Sequence, residues 1–344
     1  MLLIEKPQVQ GEWCMNPLLL LAFPISFLVT YVMTQRWIRV AKRANIVGKD
    51  LNKLGSPPVA EMGGIPLIAG VLAGFLYYIA LNTFILQQQS YNVLVLGGLS
   101  TALTIFIIGM LDDMLGWKIG LSQWQKPLLT IPAAIPLMVL NVGHTSVGLP
   151  FIGVIQLGIF YSLIIVPVAI VVAANAFNML AGYNGLECGM GIIMFSAIAI
   201  VCYITGSAWV TVLSGIMVAA LAAFMVFNWF PAKIFPGNAF TYVVGAIIAV
   251  LIIYGNIEKL ALVLFIPYYV DFLLPLRKRM HVEAFARVNS DGSLDPPYQS
   301  VYDVTHLSIK VIKRIKGKAH ESEVVALILA VEVVIAILGI MFYV

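Results

Sequence analysis

Over 344 residues the chain is 61% hydrophobic and only 10% charged, with a formal net charge of +4. A soluble domain is nearer half apolar and a quarter charged, so this composition excludes one and requires an integral membrane protein. Cys14, Cys188 and Cys202 are an odd number without metal-ligand spacing, which argues against a disulfide framework and against a zinc site.

The N-terminus carries Glu5, Lys6 and Glu12 before the first long apolar run, so no cleavable signal peptide is expected. A helix needs about 20 mostly apolar residues to cross the hydrocarbon core. Spans are therefore predicted near 17–36, 64–86, 92–111, 127–142, 157–177, 189–206, 208–228, 239–256, 259–276 and 322–343. The fourth bears Pro127, Pro132 and Pro136, and only Thr205-Gly206-Ser207 separates the sixth from the seventh. The expected fold class is all-α: one polytopic membrane domain over residues 1–344, with ten transmembrane helices and both termini on the same side.

Lysine and arginine give the orientation, because they concentrate in cytoplasmic connections. Eighteen of the 20 basic residues fall in the connections after spans 1, 3, 7 and 9, leaving only Lys6 and Lys259 for the other face. The basic face is expected to be cytoplasmic and the termini outside. Asp271 and Glu332 remain inside spans, where a charge costs about 2.5–3.5 kcal/mol on insertion scales.

The polar residues gather on the basic face. Between spans 5 and 6 runs Asn175-Ala-Phe-Asn178-Met-Leu-Ala-Gly182-Tyr-Asn184-Gly185-Leu-Glu187, an amide cluster that lipid would reject. With it come Gly48-Lys49-Asp50-Leu51-Asn52-Lys53, Glu61 before Gly63-Gly64, and the pair Asp112-Asp113 with Lys126 downstream. Phe235-Pro236-Gly237-Asn238 enters span 8, and His281 stands in the loop at 277–321. Paired carboxylates, amide oxygens and lysine suit Mg²⁺ and phosphate, since Mg²⁺ takes hard oxygen ligands and keeps waters and phosphate oxygens in its shell. Taken singly, each has a plainer reading as a solvated surface group or a turn residue. The acid pair would also meet the negative end of the span 3 dipole, which calls for a counter-cation.

These motifs resemble the polyprenyl-phosphate N-acetylhexosamine-1-phosphate transferases over nearly the whole chain. The Gly48–Lys53 segment is similar to the eukaryotic and archaeal branch, which makes dolichyl-diphosphate-linked N-acetylglucosamine. The resemblance implies that Asn178 is a Mg²⁺ ligand (Mn²⁺ being an alternative), and that Asn184 with the Gly182 backbone holds uracil. It makes Glu61 and Phe235 nucleoside contacts and puts Asn175 at the substrate. Lys126 meets the diphosphate, Asp112 and Asp113 position or deprotonate the lipid phosphate, and His281 lies near sugar and phosphate. Many relatives have Asp where this chain has Asn238; an amide still coordinates, but the metal site loses a negative charge.

The implied partners are UDP-GlcNAc, dolichyl or polyprenyl phosphate and the lipid bilayer, with no nucleic acid; a homodimer is left open. The implied location is the cell membrane, the endoplasmic reticulum being the alternative. Within 277–321, Asn289-Ser-Asp291-Gly292 is a turn signal between Glu283–Val288 and Ser293–Leu294, which predicts a hairpin. Leu307, Val311, Ile312 and Ile315 among lysines predict a basic amphipathic helix on the membrane surface. Two alternatives stay open: a bacterial-type enzyme using undecaprenyl phosphate with another UDP-sugar, and a secondary transporter.

Overall fold

The computed structural model describes residues 16–119, 124–143, 146–149, 153–278, 280 and 282–344. Among the described residues, eight helices are long and apolar enough to cross a membrane. They are α1 (Pro17–Arg43), α2 (Gly64–Leu86), α3 (Asn92–Ile119), α6 (Tyr161–Met179), α7 (Leu186–Ile204), α8 (Ala208–Asn228), α9 (Asn238–Gly255) and α13 (Glu321–Met341). A ninth crossing is a broken pair, α10 (Glu258–Leu264) and α11 (Ile266–Leu276), bent by 52°. Pro267 stands at the start of α11, where its missing N–H is tolerated.

Against the ten expected, the described residues hold eight such helices, or nine with the broken pair. The difference is the span expected at 127–142, which is a run of short pieces: α4 (Gln125–Thr130), a 3₁₀ turn (Ile131–Ala134) and α5 (Ile135–Val139). Pro132 and Pro136 open the second and third pieces, and each removes a backbone donor from any continuous helix.

Helix α9 is the axis of the bundle. In its hydrophobic window 89% of residues are buried, against 22% for α1, as expected for a helix apolar all round. It packs on α3 and α6, while α1 packs on α2 and α8, and α7 on α8 and α13. Close approach between α3 and α9 needs Gly109, where a Cβ would stand 2.5 Å from the Ala239 Cα. This contact brings the acid pair of α3 to the start of α9. The acids were expected at the end of span 3, but α3 continues to Ile119, nearly two turns further.

Three small antiparallel hairpins stand outside the helices. Strands β1 (Val47–Lys49) and β2 (Pro58–Ala60) pair Val47 with Ala60 and flank the segment 50–57. Strands β3 (Ser146–Leu149) and β4 (Gly153–Gln156) had no sequence expectation. Strands β5 (Arg287–Val288) and β6 (Leu294–Asp295) form the expected hairpin, in a shorter version.

Helix α12 (Val304–Lys316) follows. It turns Thr305, His306, Ser308, Ile309 and Ile312 inward and leaves Leu307, Val311 and Ile315 exposed among its lysines. Asp271 is explained by this docking: its Oδ1 accepts the Val304 N–H at 3.0 Å, fastening α11 to the start of α12. Glu332 is fully buried on α13, and neither carboxylate oxygen has a hydrogen-bond partner among the described residues.

Candidate active site

At one end of the bundle, four segments meet around a polar cavity of about 220 Å³. Asp50, Leu51 and Glu61 reach it from the first hairpin and its flank. Asn178, Gly182 and Glu187 come from the break between α6 and α7, Phe235, Gly237, Asn238 and Thr241 from the start of α9, and Phe285 from the long loop. Typical small-molecule pockets run to about 300–1,000 Å³, so this one is smaller than most.

The acid pair is divided between two tasks. Asp113 accepts the Asn238 N–H at 2.7 Å through Oδ1 and the Ala239 N–H at 3.0 Å through Oδ2. Those are orphan donors at the positive end of the α9 dipole. Gly237 makes room: its φ is +76°, and a Cβ there would lie 2.8 Å from Asp113 Oδ2. Asp112 is buried, and its Oδ2 accepts from Lys126 Nζ and from Asn238 Nδ2, each at 2.9 Å. The counter-charges anticipated for the pair are therefore a helix N-terminus and a lysine.

Asn178 ends α6 with its Oδ1 accepting the Thr241 hydroxyl at 2.7 Å. Thr241 was not singled out in the sequence, although its place one turn after Asn238 was a usable signal. Asp112, Asp113, Asn178 and Asn238 offer only hard oxygens, the chemistry that Mg²⁺ prefers. With only two carboxylates, such an ion would lean on water and substrate phosphate for the rest of its shell. The described residues contain no group of three or more His, Cys, Asp or Glu side chains disposed to hold a metal.

Glu61 lines the cavity half-buried, and that burial raises its pKa. Its side chain lies against Gly48, while its carbonyl accepts Trp37 Nε1 at 2.8 Å. Phe235 is held by β2, its N–H donating to the Ala60 carbonyl at 2.7 Å.

Five expected site residues are absent from the lining: Asp112, Asp113, Lys126, Asn175 and Asn184. Asn175 donates to Thr130 Oγ1 at 3.1 Å and to the Val171 carbonyl at 2.8 Å, so it fastens α4 to α6. Asn184 is buried, with Oδ1 accepting Lys53 Nζ at 2.7 Å and the Ala232 N–H at 2.6 Å. Its Nδ2 donates to Asp50 at 3.2 Å, and its N–H to Glu321 at 2.8 Å. Lys53 also pairs with Asp50 and, at 3.2 Å, with Glu321, so α13 is tied into this node. His281 lies outside the described residues.

Next to the acids, Ile108, Leu111, Met114, Leu115 and Leu129 line an apolar groove of about 420 Å³. Lys126, bonded to Asp112, stands one turn before Leu129 of this groove, which links the groove to the acid on one side. Asn238, bonded to both acids, belongs to the polar cavity on the other.

The family model "Glycosyl transferase family 4" matches residues 95–256, which covers α3 through α9 and hence the acid pair, Asn178 and Asn238. A Saccharolobus solfataricus protein named "Putative UDP-N-acetylglucosamine–dolichyl-phosphate N-acetylglucosaminephosphotransferase" is 38% identical across 94% of this chain and 96% of its own length. The Dictyostelium discoideum UDP-N-acetylglucosamine–dolichyl-phosphate N-acetylglucosaminephosphotransferase is 27% identical over 79% of this chain and 75% of its own. The phospho-N-acetylmuramoyl-pentapeptide-transferase of Halalkalibacterium halodurans is 30% identical over 72% and 78%. The stretch matched by the family model includes Asp112, Asp113, Asn178 and Asn238 of this chain, and the chain belongs to glycosyl transferase family 4, among the polyprenyl-phosphate N-acetylhexosamine-1-phosphate transferases.

Proposed function

We propose that this protein transfers N-acetylglucosamine-1-phosphate from UDP-GlcNAc to dolichyl or another polyprenyl phosphate, releasing UMP. The observation that carries this reading is the link made by Asp112, which bonds Asn238 of the polar cavity and Lys126, one turn before Leu129 of the apolar groove. A water-soluble nucleotide sugar and an isoprenoid phosphate need such a pair of neighbouring sites. The relatives named for this reaction support the same substrates.

In the reaction, an oxygen of the lipid phosphate forms a new bond to the β-phosphorus of the donor. The bond from that phosphorus to the bridging oxygen breaks, and the electron pair leaves with UMP. Phosphoryl transfer asks the protein for in-line placement and charge neutralisation. Lys126, held by Asp112 at 2.9 Å, supplies a fixed cation where the two substrates meet. Asp113, fixed by the start of α9, keeps Asn238 and Thr241 in register with Asn178. Mg²⁺, held by Asn178 and Asn238 with the acid pair, would offset charge on the diphosphate.

The positive-inside bias of the chain supports a cytoplasmic site in a cell membrane, with the proline-broken segment 125–139 completing a tenth crossing. The test is a donor panel of UDP-GlcNAc, UDP-GalNAc and UDP-glucose against a polyprenyl phosphate, with and without Mg²⁺. UMP release with UDP-GlcNAc is the expected outcome. Solute flux in proteoliposomes without turnover would replace this reading by a transporter.

A further inference from the structure

We propose that α12 docks on the bilayer surface, setting Leu307, Val311 and Ile315 against acyl chains and Lys310 and Arg314 against anionic lipid headgroups. None of these five residues lines the polar cavity or the apolar groove, so the docking surface stands apart from the transferase reading.

The period of the helix divides α12 into two faces. Thr305, His306, Ser308, Ile309 and Ile312 are buried against the protein. Leu307, Val311 and Ile315 recur at every fourth residue and form one stripe on the other side, 44%, 38% and 76% exposed. Lys310 and Arg314 each precede a stripe residue and lie along one edge of the stripe. One exposed leucine needs no explanation, but an apolar stripe two turns long calls for a surface to cover it.

Both ends of α12 are held where helices leave the membrane. Asp271, whose Oδ1 accepts the Val304 N–H at 3.0 Å, lies five residues before the end of α11 at Leu276. The start of α12 is therefore level with a point about 7–8 Å inside the end of α11. Around that point α11 leaves Phe272, Leu273 and Leu276 exposed, as suits contact with lipid. At the other end, only residues 317–320 separate α12 from Glu321, the first residue of the membrane helix α13. A helix about 20 Å long, tethered at both ends to this level, lies along the surface and does not rise from it.

The charges select an anionic layer. Lys313 pairs with Asp295, Lys316 with Glu323 at 2.8 Å and Lys318 with Asp291 at 2.6 Å, so these cations are answered by carboxylates of the protein. Arg314 has no ion pair among the described residues, and Lys310 donates to the Gln299 carbonyl, which carries no net charge. The two cations that edge the stripe are thus left for headgroup phosphates. An apolar stripe bordered by long basic side chains is the pattern of a helix lying in the membrane interface. A second copy docked stripe to stripe would bring the same two cations to both sides of the contact.

The experiment uses the full-length protein in lipid nanodiscs, with a bimane fluorophore on Ile315→Cys. Wild type taken through the same labelling gives the blank for Cys14, Cys188 and Cys202, and Ser290→Cys, in the exposed turn of the β5–β6 hairpin, gives the water-facing reference. A nitroxide near the top of the acyl chain should quench the Ile315 label, and aqueous iodide should leave it bright. In neutral discs, a trace of nitroxide-labelled phosphatidylglycerol should quench it roughly fivefold more strongly than labelled phosphatidylcholine, as one basic residue at a charged surface provides. Arg314→Glu should remove that preference, Arg314→Lys should keep it, and high salt should weaken it. Should Ile315→Cys not fold, Leu307→Cys carries the same expectation. Quenching by iodide and not by the lipid nitroxide overturns the docking. Equal quenching by the two lipids overturns the assignment to anionic headgroups. Protection from iodide only in discs that hold two protein molecules overturns the proposal in favour of a second copy.

Discussion

Asp113 caps a helix that begins 125 residues later in the chain, at Asn238. Its two oxygens take the first two N–H groups of α9, so this acid holds the central helix in place. Losing a side-chain cap costs about 0.5–2 kcal/mol, and here two donors are orphaned together. Asp113→Ala is therefore expected to lower stability by about 2 kcal/mol, and Asp113→Asn, which keeps one acceptor, by about half as much. Denaturant unfolding in detergent measures this. Wild-type stability in the alanine variant would remove the capping role.

Asn238 stands where the family resemblance leads one to expect Asp, and its Nδ2 donates to Asp112 at 2.9 Å. Asn238→Asp would exchange that hydrogen bond for a third carboxylate facing the pair, with Lys126 as the neighbouring cation. Like charges this close oppose each other strongly in a partly buried site. The variant should have a lower melting temperature without divalent cation and a larger rise when Mg²⁺ is added. Half-maximal activity should fall at a lower Mg²⁺ concentration than in the wild type. Thermal shift with and without Mg²⁺ reads the first effect without relying on turnover; equal shifts in both proteins would place Asn238 outside the metal site.

Lys53 sits among Asp50, Asn184 and Glu321, all three nearly fully buried. Removing one partner of a buried pair leaves a charge without compensation, at about 3–5 kcal/mol. Lys53→Met is expected to unfold far more readily than the double variant Lys53→Met/Glu321→Gln. A double-mutant cycle on unfolding midpoints tests it, and additive effects would mean that the α13 end and the 50–57 segment are not coupled.

The parts of this architecture carried by composition were legible in the chain itself. Apolar length located the crossings, and the crowding of amides at 175–187 marked the site. What escaped was set by three-dimensional packing. Three prolines make 125–139 a chain of short helical pieces, and no length rule sees a helix rebuilt in turns. The counter-charge for Asp113 is a helix end, invisible where only side chains are counted. Asn175 and Asn184 read as ligand-facing because amides are costly in lipid. Both repay that cost by bonding to the protein itself, Asn175 to Thr130 and Asn184 to Lys53. Thr241 and Phe285 are ordinary residues in the sequence, made notable only by what they adjoin.

His306 is expected to give the cavity beside Phe285 a pH dependence. It is fully buried on α12, its Nε2 lies 3.2 Å from the Ala284 carbonyl, and Nδ1 has no partner among the described residues. Burial pushes its pKa below the ordinary 6.5, with Lys310 acting in the same direction. Asp303 opposes the shift, as do hydrogen bonds to the Ala284 and Glu283 backbone. The Tyr298 ring, 6.1 Å away, adds no charge. A histidine with a lowered folded pKa contributes stability that is full above its unfolded pKa near 6.5 and is lost as pH falls through the folded value. Protonation would add a buried Nδ1–H without an acceptor, loosening the contact with Ala284, the residue before Phe285. Donor KM is therefore expected to rise as pH falls from about 7 to 5, with kcat changing less. His306→Gln retains a donor for the Ala284 carbonyl and cannot titrate, so its KM profile should be flat over that range. A profile in His306→Gln that still rises like the wild type would assign the pH dependence to another group.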